Sequence, residues 1–192
     1  RVVGSLGRGA QARPGRRPRG LDRAPRARCP RGARSLSDRP SSVDPYQQGL
    51  YQAEHQALPD GGRRFRRFAD LERYVDQVIT GAWWERSFPT APIDVTVYRR
   101  SSGATFSAAH VTPAGDEAAI WIRDGSWDAV TVVHELAHVA TGNDGGADGP
   151  HGSEFVTNLL LCWRELLGVQ AYGALRSTLG ANGIPFHQDR LG

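Results

Sequence analysis

His134-Glu135-Leu136-Ala137-His138 is the stretch on which the reading of this 192-residue chain turns. Successive helical residues lie about 100° apart, so residues four apart differ by about 40° and one turn. In a helix His134 and His138 therefore face one side and can share a metal ion, with Glu135 beside them. HExxH in that setting is a zinc-site pattern. Zn²⁺ lowers the pKa of a bound water to roughly 7, and Glu135 is placed to take a proton from it and pass it to a leaving group. The surroundings support a buried helix. Trp127 to Val133 is a largely apolar lead-in, and Val132, Val133, Leu136 and Val139 flank the motif. Ser126 reads as the N-cap, Asp128 as a first-turn acid and Gly142 as the stop. That setting argues against two surface histidines that happen to flank a glutamate.

A catalytic zinc usually takes three protein ligands and keeps one position open. Downstream, residues 142–150 read as a flexible glycine-rich loop, followed by His151-Gly152-Ser153-Glu154-Phe155. Phe155, Leu159, Cys162, Trp163 and Leu166 then recur on one helix face, and Gly168 ends that helix. His151 thus stands at the mouth of a second helix, and the loop can return it to the metal. Two alternatives stay open at this stage. Glu154 lies close enough to serve instead, and Asp144 occupies the position of the last metzincin ligand, although Thr141 stands where that pattern has glycine.

The order HELAH, polar loop, then His151-Gly152-Ser153-Glu154-Phe155 resembles the SprT-like zinc metallopeptidases, which carry HExxH followed by HGxxF. Residues 45–183, about three quarters of the chain, are also similar to a small actinobacterial metallohydrolase family. The matching stretches are Tyr74-Val75-Asp76, Val95-Thr96-Val97, HELAH and Pro150 to Phe155. The resemblance implies zinc on His134, His138 and His151, with Glu135 as catalytic base. The paired CxxC motifs of the zinc ribbon in several SprT-like proteins are absent, so the DNA-linked roles of that group are not implied.

Composition divides the chain near residue 40. Twelve arginines against Asp22 and Asp38 give residues 1–40 a charge of +10, so of the chain's +4 the remainder carries −6. Residues 1–42 are rich in Arg, Pro and Gly and poor in large apolar residues, which predicts a disordered tail. Residues 43–192 read as a zinc metallohydrolase domain. An arginine-rich arm suits nucleic acid or another anionic surface, but this one has no aromatic residue for base stacking. The preferred reading is an over-extended reading frame: the chain starts with Arg, lacks Met and Lys, and has Val43 as a candidate initiator. Cys29 and Cys162 have neither disulfide context nor metal-ligand spacing. No signal peptide or membrane span is evident, so the expectation is a cytoplasmic enzyme acting on a peptide or protein.

Tyr46–Leu58 and Phe68–Ile79 read as helices, with Trp83 and Trp84 as packing residues after them. Ile93–Tyr98, Thr105–Val111 and Ala118–Ile122 read as short strands, and Val169–Leu179 as a last helix ending at Gly180. Helices, strands, then helices predict an α+β fold: a small antiparallel or mixed sheet packed with the HExxH helix and flanking helices, as in a SprT-like or minimal zincin core. Ala119-Ile120-Trp121-Ile122, just before that helix, is a candidate for aligning an extended substrate by its edge, or else an ordinary sheet strand. His110, Tyr98 and Arg164 are candidates for stabilising a developing oxyanion, while His55 and His187 read as structural or solvated. The reading from a different class is a non-catalytic zinc-binding protein, or one that binds nucleic acid through its tail.

Overall fold

Helices form where apolar residues recur every three or four positions, and the most apolar of them lies at the centre. We describe a computed structural model, in which residues 44–142 and 148–192 are placed. All belong to one unit, Ser41–Gly192. The expected disordered tail, with Cys29, lies outside the described residues. The elements are α1 (Gln47–Ala57), α2 (Phe68–Ile79), α3 (Ala82–Ser87), β1 (Asp94–Arg100), β2 (Ala108–Val111), β3 (Glu117–Arg123), α4 (Ala129–Thr141), α5 (Ser153–Leu166) and α6 (Val169–Ala181), then a 3₁₀ turn at Gln188–Arg190. The class is α+β. The helix α3 is short and was not expected; it follows Gly81 directly and buries Trp84.

The HExxH helix is α4, buried nearly all round through Val132, Val133, Leu136, Ala137 and Val139. It packs on α5, which buries Phe155, Val156, Leu159, Leu160, Cys162 and Trp163. In turn α6 lies against α5 and α1, and α1 also meets α4 directly through Glu54 and Tyr51 at His134. A polar tie joins the far ends: Asn158 Nδ2 donates to Thr141 Oγ1, and Arg190 Nη2 donates to Asn158 Oδ1.

The start of α4 corrects one expectation. Asp128, not Ser126, is the N-cap, and its Oδ1 accepts the Thr131 N–H at 2.9 Å. The cause is tertiary. Residues 61–65 run alongside 127–130, with Phe65 N–H donating to Trp127 O and Ala129 N–H to Arg63 O. Trp127 is thereby held outside the helix. Gly61 belongs to this arrangement: its φ is +73°, and a Cβ there would stand 3.0 Å from Asp128 Cγ.

The sheet is mixed, in the order β1-β3-β2, with β1 and β3 parallel and β2 antiparallel to β3. Ala118, Ile120 and Ile122 point to the core, and Trp121 stacks on Tyr98 on the other face. Two more expectations are corrected here. Thr105–Ser107 is not strand: Ser107 Oγ accepts the Arg123 N–H, ending the ladder at Ala108↔Trp121. Ala119–Ile122 is the middle strand with β1 and β2 on its two sides, so it has no free edge to align a substrate. Among the described residues no helix is long and apolar enough to cross a membrane.

The cap is testable. Asp128→Ala should cost about 0.5–2 kcal/mol in urea unfolding, the usual range for a lost N-cap, whereas Ser126→Ala should be close to neutral.

Candidate metal centre

Helical geometry brings His134 and His138 to one side of α4, and the turn before α5 brings His151 to meet them. Gly152 N–H donates to Gly149 O, closing a tight turn, and Ser153 Oγ–H donates to Asp148 Oδ2. A Cβ at Gly152 would stand 2.6 Å from Asp148 Cβ, so this residue must be glycine for the turn to fold back. The three imidazoles then converge. His138 Nε2 is 3.2 Å and His134 Nε2 is 3.3 Å from His151 Nε2. Three nitrogens about 2.0–2.1 Å from a tetrahedral metal would stand roughly 3.3–3.4 Å apart. The spacing fits a metal ion.

The other ring nitrogens decide what the Nε2 atoms can do. His134 Nδ1 lies 2.9 Å from Glu54 Oε2, and His151 Nδ1 lies 2.5 Å from Asp44 Oδ2. A carboxylate can only accept, so each Nδ1 carries a proton and each ring turns its Nε2 to the common point. Carboxylate, imidazole and cation in series is a standard support for a metal ligand. Asp44 does more, because its Oδ1 accepts the N–H groups of Tyr46 and Gln47 at the start of α1. Phe155 packs its ring against all three histidines, with centroids 4.3–5.1 Å away. Tyr51 borders the open side, its ring 5.2 Å from that of His134.

Burial and mutual charge shape the titration of the cluster. Burial, then the neighbouring His134 and His151, push His138 well below the usual histidine range. Burial and His134 also lower His151, against the pull of Asp44. For His134, burial acts downward but the Glu54 carboxylate outweighs it, and the net shift is upward. Glu135 is buried with Oε2 unpartnered, and burial raises its carboxyl to about 7 against the opposing charge of His134.

The cluster that can hold a metal is thus His134, His138 and His151, and no other His, Cys, Asp or Glu joins it among the described residues. Glu154, the alternative third ligand, is turned away to Arg190 Nη1 and His187. Asp144 lies outside the described residues. A cleft of about 360 Å³ opens beside Glu135 between residues 58–64, residues 105–107 and the first turns of α4. None of the three oxyanion candidates lines it. His110 is exposed on β2, Tyr98 is stacked on Trp121, and Arg164 donates to Leu191 O. His55 is exposed and lines the cleft. Sequence reasoning missed Asp44, Glu54 and Tyr51. A weak signal existed for Glu54, which is three residues from Tyr51 and four from Leu50 and so shares a helix face with them. No protein-family model, curated protein or solved structure matches this chain.

Asp44→Asn and Glu54→Gln should each weaken Zn²⁺ binding about 10–100-fold, the usual cost of losing an outer partner of a ligating histidine. Competition with a chromophoric chelator reads this directly; unchanged affinity in both variants would separate the carboxylates from the metal.

Proposed function

We propose that the chain is a zinc-dependent metallohydrolase, most simply a metallopeptidase of SprT-like type, with His134, His138 and His151 as metal ligands and Glu135 as general base. The observation that carries this reading is Glu135 itself. A purely structural site needs no adjacent base and is usually closed by a fourth protein ligand, whereas here a buried carboxylate with a bare Oε2 borders the cluster and an open cleft.

When bound, zinc would supply an acidified water and a polarised substrate carbonyl. The chain's own groups do the rest. Glu135 Oε2 accepts the proton of the attacking water and returns it to the leaving amine. Burial, against the pull of His134, lifts this carboxyl to about 7, and a cation in the cluster would draw it back down, which suits a base that works near neutral pH. The Tyr51 hydroxyl accepts from Gln47 Nε2 at 3.3 Å, so its own proton is free to be donated. Burial also holds that phenol above its usual range, in the protonated form. We assign Tyr51 as hydrogen-bond donor to the developing oxyanion, in place of the three candidates that lie elsewhere. The alignment role passes from β3 to the segment of Thr105–Ser107 leading into the edge strand β2, which lines the cleft.

Glu135→Gln should keep its zinc and lose about 10²–10⁴ in peptide hydrolysis. His151→Ala should lose zinc as well, by metal analysis of the folded protein. Tyr51→Phe should lower kcat with little change in KM. Full activity in Glu135→Gln would sink the mechanism.

A further inference from the structure

The domain as a whole is acidic, yet one end of its cleft is not. Arg64 and Arg123 line it there, at the N-terminal end of α4. Among the described residues neither guanidinium has an ion pair or hydrogen bond, and Arg123 Nε is buried with no partner. Other arginines nearby in sequence or sheet are engaged: Arg99 pairs with Asp124, Arg67 with Asp70, and Arg100 lies over Phe106 and donates to its carbonyl. A buried N–H without a partner is costly and rare in a native protein, so its presence in a cleft points to a group that arrives from outside.

Among the described residues none of the cleft's carboxylates is hydrogen-bonded or ion-paired to either arginine. Glu54 Oε2 is held to His134 and Asp128 Oδ1 caps α4. Asp60 Oδ1 accepts from the Gly62 N–H. Glu135 stands at the metal end. Both ends of the cleft are marked on α4, by His134 and Asp128. Six residues at 1.5 Å per residue put about 9 Å between them, or two to three residues of extended peptide at roughly 3.3 Å each.

We propose that Arg123, assisted by Arg64, is a carboxylate-recognition site that selects substrates bearing a carboxylate two or three residues from the scissile bond. The source is either an acidic side chain or the free C-terminus of a peptide. The guanidinium fork offers parallel N–H donors that match a carboxylate's two oxygens, and Nε is part of that fork. The proposal rests on the hydrolase reading for the words scissile bond, but the binding site itself does not.

Its test therefore reads binding and turnover separately. The full-length Glu135→Gln chain, loaded with zinc, is titrated calorimetrically with acetylated alanine heptapeptide amides. Each carries one glutamate or one glutamine, placed at each position in turn; the all-alanine peptide with a free carboxylate completes the set. The expected result is binding about tenfold or more tighter for at least one glutamate peptide than its glutamine partner, or for the free acid than its amide, as for a buried charge pair. Which of the two responds names the source. Adding Arg123→Gln should erase the preference, and Arg123→Lys should not restore it fully. Equal binding across the set, or a preference that survives Arg123→Gln, overturns the proposal and leaves water as the partner of Nε. The same peptides given to the chain with Glu135 intact distinguish the two readings. Arg123-dependent binding without cleavage removes the hydrolase, and cleavage without preference removes the carboxylate site.

Discussion

Three imidazole nitrogens are brought to one point, and much else in this molecule follows from holding them there. Two of the Nε2 atoms sit 3.2 and 3.3 Å from the third. Glu54 and Asp44 each take the Nδ1 of their histidine, which leaves the Nε2 atoms of His134 and His151 turned to the common point. A metal ion could be held there by all three. The requirement reaches outward. Glu54 lies on α1 and Asp44 just before it, so that helix must dock where its carboxylates meet the rings. Docking is secured from the other side by α6, where Thr178 Oγ1 donates to Ala53 O. The Gly152 turn, the Phe155 ring and the α1 contacts are parts of one constraint.

That constraint has an energetic consequence. His134, Glu135, Glu54 and His151 are all nearly fully buried, and buried ionisable groups oppose folding unless paired. Glu135 illustrates the sign. Its folded-state carboxyl titrates at about 7, above its ordinary 4.5, because burial disfavours the charged form. The native state therefore holds this proton more tightly than the unfolded chain, and the contribution turns unfavourable as pH rises through that interval. A cation in the cluster reverses the balance by stabilising the carboxylate and the neutral imidazoles together. Metal binding and folding are then linked, with part of the binding free energy appearing as stability.

What could be read from the chain depended on the range of the interaction. The pairing of His134 with His138 is a local matter of helical period, and so were the buried face of α5 and the bounds of α2. The stops at Gly142 and Gly168, with φ of +84° and +94°, followed from glycine chemistry. His151 was reachable because only a short loop separates it from α4. The supporting carboxylates were not legible, since Glu54 lies 80 residues from His134 and Asp44 107 from His151. In a polar helix such residues look like solvated surface until the partner is known. Strand order was hidden for the same reason. Nothing in Glu117–Arg123 says that β1 will pair on its far side, and that pairing is what closes the edge of β3. The N-cap was displaced by a tertiary event, the run of residues 61–65 alongside 127–130, which no local propensity contains.

This displacement has a consequence beyond the cap. Had α4 begun after Ser126, the helix would have been two residues, about half a turn, longer. By starting at Ala129 it leaves room bounded by Asp128, Ser126 and Arg123. The same backbone pairing that shortens the helix carries Arg64 to the rim, opposite Arg123 at the end of β3. Asp128 lines the same end, with its Oδ1 held by the Thr131 N–H. The arginine end of the cleft and the length of the HExxH helix therefore have one cause. A mutation that loosened residues 61–65 would disturb both, although it touched none of the three histidines.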